Sequence, residues 1–124
     1  MSDIPLALYY LAHARAGDKG DTLNISVVPY DDSDYPLLAR ELTPERVAAW
    51  FGDSVLGAVT RYDLPRLPAF NFVLTQALQG GVSDSLHLDK HGKSRSGVLL
   101  SLPIPVPAGH PGFERRRLVE SQDS

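Results

Sequence analysis

A two-layer α+β sandwich, with helices on one face of a mostly antiparallel sheet, is the fold class that this sequence predicts. Three observations carry the prediction. Segments that alternate like strands outnumber segments with helical spacing. A chain of 124 residues is one domain with a real but modest core. Its 43% hydrophobic and 22% charged residues are the composition of an ordinary soluble globular protein.

The elements follow in order. "IPLALYYLAH", residues 4 to 13, is apolar on both alternating faces and predicts a strand covered on both sides, or a central one. In "TLNISVVPY", Leu23, Ile25 and Val27 alternate with Asn24 and Ser26, a half-buried strand that Pro29 and "DDSD" end. Thr43 is a good N-cap with Pro44 at the first helical position, and Val47, Trp50 and Phe51 form an apolar stripe that Gly52 can close. "YPLLARE" adds a turn of helix before it. "GAVTRYDL" predicts a third strand. In "PAFNFVLTQALQGG", Phe70, Val73, Leu74, Ala77 and Leu78 sit at helical spacing, the strongest helix signal in the chain, and Gly80-Gly81 close it.

"VSDSLHL" alternates as a fourth strand, "DKHGKS" predicts a turn, and "GVLLSLPI" is a short apolar run assigned to a strand. The tail from 105 to 124 carries prolines at intervals and then Arg115 to Arg117, which predicts an extended or disordered arm. The order β-β-α-β-α-β-β over residues 1 to 104 fits a ferredoxin-like sandwich of two helices on a four- to five-stranded sheet. Tyr9, Leu11, Val28 and Tyr62 fall on its strands, and those that point away from the helices predict a face used for a second copy or another protein.

A formal charge of −3 with no basic cluster in the body of the chain disfavours nucleic-acid binding. The absence of cysteine removes disulfides, thiolate catalysis and Cys-based metal sites, and suits a cytoplasmic protein. The longest apolar run is far below the roughly 20 residues that span a bilayer, and no basic segment precedes it, so neither a membrane span nor a signal peptide is expected. His13, His87, His91 and His110 show no metal-ligand spacing, and Ser83, Ser85 and Ser101 lie in no nucleophile elbow. No metal or other cofactor is expected.

The stretch "ARAGDKGDTLNIS" concentrates glycines and charges between two strands. Gly17 and Gly20 let the backbone turn and bring N–H groups to bear on one spot, an anion-binding nest. Arg15 and Lys19 can add charge-assisted bonds to a carboxylate or phosphate. Asp18 and Asp21 can serve as a general base or hold the cations in place. The alternative is a solubilising hairpin whose charges pair with one another. The GxxxxGK[ST] phosphate loop and the acidic spacing of an EF-hand are both absent.

This stretch, followed by "RYDLPRLPAFNFVLTQALQGGVSDSLHLDKHGKS", resembles the small AtuA-like domain, which has a ferredoxin-like fold. That domain usually ends longer acyclic-terpene-utilisation proteins and also occurs as a separate small polypeptide. Its pattern, roughly R-S-G-D-K-G-D-x-x-N-I, is matched by Arg15, Gly17, Asp18, Lys19, Gly20, Asp21, Asn24 and Ile25, with Ala16 in place of the usual Ser. Tyr62, Leu64, Pro65, Asn71, Phe72, Gly80, Gly81, Asp89, Gly92 and Lys93 match its later part, and the resemblance spans residues 5 to 104.

The resemblance implies a subunit that acts with a larger AtuA-type protein on an acyl-CoA thioester or small organic acid. Hydratase, dehydratase or lyase chemistry would suit the residues of the stretch, because a carboxylate base beside a cationic anchor can move a proton next to a carbonyl. Asp18, Lys19 and Asp21 are the candidate catalytic residues. Arg15, Gly17, Gly20, Asn24 and Asn71 are the candidate substrate-binding residues for a CoA thioester or carboxylate ligand, with a capping or side-chain-to-backbone role as the alternative for Asn71. The rival expectation is a non-catalytic homo-oligomer in which the open sheet face and the charged loop form a subunit interface.

Overall fold

The computed structural model describes residues 3–77 and 95–123. An antiparallel sheet of four strands forms its centre, in the order β2-β3-β5-β4: β2 (Ala12–Lys19), β3 (Thr22–Pro29), β4 (Val59–Leu64) and β5 (Ala69–Leu74). Two further strands, β1 (Ile4–Ala7) and β6 (Pro103–Val106), pair antiparallel as a separate ribbon. Helices α1 (Tyr35–Glu41), α2 (Pro44–Phe51), α3 (Arg95–Leu100) and α4 (Gly112–Asp123) complete the described elements. The class is therefore α+β.

Burial explains the sheet. Leu23, Ile25 and Val27 of β3 point to the core, and Phe72 and Phe70 of β5 stand opposite Ile25 and Val27. The same core takes in Leu38 and Leu42 from α1 and its end, Val47 and Phe51 from α2, Leu99 from α3, and Ile104 and Val106 from β6. The ribbon tolerates Pro5, Pro103 and Pro105 because each of its strands has an unpaired side on which a missing N–H costs nothing.

Long-range polar contacts lock the helices to the sheet. Arg61 of β4 donates through Nη1 to the carbonyls of Ala39 (2.8 Å) and Leu42 (2.9 Å), satisfying the end of α1, while its Nε donates to Asp63 Oδ1 at 2.7 Å. Trp50 Nε1 donates to the Val98 carbonyl at 2.8 Å and so joins α2 to α3. The cap of α2 forms as its sequence predicts: the Arg46 N–H donates to Thr43 Oγ1 at 3.2 Å, with Pro44 opening the helix. Thr43→Ala is expected to destabilise the protein by about 1 kcal/mol in chemical denaturation, with Thr43→Ser restoring most of the loss.

Several expectations are corrected. Residues 69–74 are a strand, not the start of a helix, because Phe70, Phe72 and Leu74 then share one face opposite Val27, Ile25 and Leu23. The run assigned to a strand at 97–104 is the helix α3, which buries Leu99, followed by β6. Pro103 falls where that helix has already ended. The predicted strand at 4–13 divides into β1, a 3₁₀ turn at Leu8–Tyr10 and the start of β2. The tail expected as an extended or disordered arm carries the end of β6 and the helix α4. The predicted strand "VSDSLHL" and turn "DKHGKS" lie outside the described residues, as does the helix end at Leu78 to Gly81.

Candidate functional site

The charged stretch is a strand end and a tight turn, not an open loop. β2 continues to Lys19, opposite Thr22, so only Gly20 and Asp21 connect the strands. Gly20 has φ +65°, while Asp21 is not among the described residues with positive φ. A positive φ at the first of two central residues is the pattern of a II′ hairpin turn, where glycine is preferred. Gly17 pairs with Asn24 within the ladder, so the Gly17–Gly20 backbone does not curl into a nest. That expectation is corrected. The ladder supplies partners for a chain that would otherwise have to leave its N–H groups to a ligand.

Strand alternation then decides what the predicted residues share. Arg15 lies opposite Ser26, Ser26 opposite Asn71, and Asn71 opposite Tyr62, a row that crosses all four strands. In the next row Gly17 faces Asn24, Asn24 faces Val73, and Val73 faces Thr60. Both rows lie on the sheet face opposite the core, where Arg15, Gly17, Ser26, Thr60 and Tyr62 are exposed. Four of the predicted binding residues, Arg15, Gly17, Asn24 and Asn71, therefore converge on one surface although they are far apart in sequence. Gly20 lies in the turn beyond it. A Cβ at Gly17 would meet nothing within 4 Å, so this glycine leaves the β2 backbone bare beside Arg15 and Asn24.

Ser26 is a member of this row that is not among the candidates, and Tyr62, named above for the open face, is another member. The alternation of Asn24 with Ser26 is the signal that could have found the first. Ser26 Oγ donates to Asn71 Oδ1 at 3.3 Å, which leaves the Asn71 amide N–H groups for another acceptor. Arg15 makes no hydrogen bond or ion pair among the described residues. Arg40, Arg46, Arg61 and Arg117, by contrast, each pair with a carboxylate.

The candidate catalytic residues are less well brought together. Asp21 is half-buried in the turn, and its carbonyl accepts the Ala77 N–H at 2.8 Å. The side chains of Asp18 and Lys19 lie outside what the structure describes. Ser83, Ser85, His87 and His91 lie outside it altogether. Among the described residues no cluster of three or more acidic or histidine side chains could hold a metal ion, and no helix is long and apolar enough to cross a membrane.

An antiparallel α+β sandwich with one face buried under helices and a polar row across the other is the class that fold and site define. The family model of the AtuA ferredoxin-like domain matches residues 6–105. The chain belongs to that family. Searches of curated proteins and of solved structures find no match.

Proposed function

We propose that the open sheet face is an anion-binding surface. On this reading the protein works with a larger AtuA-type protein and holds the acidic group of an acyl-CoA thioester or small organic acid. One observation carries the reading: Arg15, exposed and without a partner among the described residues, stands in register with the Ser26–Asn71 pair. A guanidinium beside side-chain amides offers several N–H donors to one carboxylate or phosphate. Asp21, in the turn that joins the same two strands, is assigned the acid–base role that hydration, dehydration or lyase chemistry would need.

The test is thermal unfolding with CoA and acyl-CoA compounds. A ligand at a hundred times its Kd should stabilise the wild type by about 2.7 kcal/mol. Arg15→Ala should lose that shift while unfolding at the wild-type temperature, because no described contact is broken. A shift that survives Arg15→Ala removes the face from consideration.

A second reading has its own support. Tyr62 and Leu64, at the β4 edge of the same face, are 54% and 39% exposed, which suits a subunit interface. Tyr62→Arg would then halve the mass seen in sedimentation, and on the binding reading it would leave the mass unchanged.

A further inference from the structure

A pocket of about 450 Å³ opens between the Leu8–Tyr10 turn, Tyr30 and helix α4, lined by Tyr9, Tyr10, Tyr30, Arg115, Leu118 and Val119. Tyr9, Tyr30 and Leu118 are large apolar side chains left 46%, 48% and 50% exposed, and the pocket brings them together. Its cation is fixed in place. Arg115 Nη1 donates to the Tyr10 carbonyl, and the guanidinium carbon lies 5.3 Å from the centre of the Tyr30 ring.

Tyr30 is itself anchored. Its hydroxyl donates to the Tyr9 carbonyl at 3.2 Å, and its ring stacks on His13 at 5.8 Å. Burial and the neighbouring Tyr9 push that hydroxyl above its ordinary pKa, partly offset by Arg115, so it stays protonated at neutral pH.

Arg115 has no carboxylate partner among the described residues. Asp31, the carboxylate that feels its charge, is engaged by Ser33 through N (2.9 Å) and Oγ (2.7 Å). Arg115 Nε and Nη2 make no described bond. A guanidinium held rigidly at an apolar wall with N–H groups to spare matches a ligand that joins one acidic group to an apolar body.

We propose that this pocket binds a small monocarboxylate with an apolar body. The carboxylate accepts from Arg115, and the body lies against Tyr9, Tyr10, Leu118 and Val119. The site is independent of the Arg15 face and shares no residue with it. Its α4 wall also lies beyond the residues that match the family.

Isothermal titration with benzoate and 3-methylbutanoate tests the proposal, with benzamide and 3-methylbutanamide as neutral controls. The wild type should bind both acids saturably and both amides roughly tenfold or more weakly, the loss of one charge-assisted contact. Arg115→Met and Leu118→Asp should each weaken the acids by a similar factor. Equal affinity for acid and amide, no saturable binding, or retained affinity in Leu118→Asp would each overturn it. The acid–amide comparison uses the wild type and Leu118 is exposed, so the result stands even if Arg115→Met does not fold.

Discussion

His110→Ala is expected to destabilise the protein by about 3–5 kcal/mol, a large share of the 5–15 kcal/mol that holds a domain folded. His110 Nε2 lies 2.8 Å from Asp34 Oδ1, with the two side chains only 8% and 11% exposed. The Gly112 N–H donates to Nδ1 at 2.8 Å, which requires that nitrogen to be unprotonated. The proton of the neutral ring is therefore on Nε2, where it donates to the carboxylate. Both ring nitrogens are thus occupied in joining the start of α4 to the 3₁₀ turn at Asp32–Asp34. This histidine is structural.

The pair is asymmetric, and that makes the expectation specific. Removing His110 leaves a buried carboxylate without its donor. Removing Asp34 leaves only a neutral ring N–H unpaired, a loss of about 1–3 kcal/mol. Urea denaturation should therefore rank His110→Ala as more damaging than Asp34→Ala, and the double variant should lose less than the sum. Equal small effects would mean that water already solvates the pair.

Phe72→Ala carries the second large expectation, a loss of about 3–5 kcal/mol, with Val73→Ala losing about 1 kcal/mol or less. Phe72 is fully buried opposite Ile25, whereas Val73 is half-buried on the open face between Asn24 and Thr60. A helix over the same residues would place Val73 on the apolar stripe and leave Phe72 off it, and the two effects would be reversed. Paired denaturation curves of the two variants thus test the strand directly. They also bear on the candidate site, because Asn71 is held by the strand that Phe72 anchors.

Those two residues show where sequence reading stops. Phe70 and Leu74 are four apart, so they share a face in a strand and a side in a helix. Over six residues the two periods separate only at Phe72 and Val73. The choice rests with Leu23, Ile25 and Val27, more than forty residues earlier, which present a buried row that only a strand can match. The apolar run before Pro103 has no period at all, and its helix follows from the space beside β2 that Leu99 fills.

The same limit applies to the functional surfaces. Arg15, Gly17, Lys19 and Asp21 stand out in the sequence as a charged, glycine-rich stretch, and the family follows from them. Whether those residues form a nest or a ladder is a question of pairing, and β3 answers it. The tail reads as featureless because its anchors are distant: Asp34 for His110, and the Tyr10 carbonyl and Tyr30 ring for Arg115.

By itself the sequence determined the α+β class, the family, the half-buried strand β3 and the capped helix α2. Each of these follows from short-range periodicity, local capping or a contiguous motif. Tertiary structure alone decided that residues 69–74 pair as a strand, that the tail docks as a helix, and that Arg15, Asn24 and Asn71 share one open face. Those outcomes depend on buried area and hydrogen-bond partners supplied from far along the chain, which no local pattern encodes.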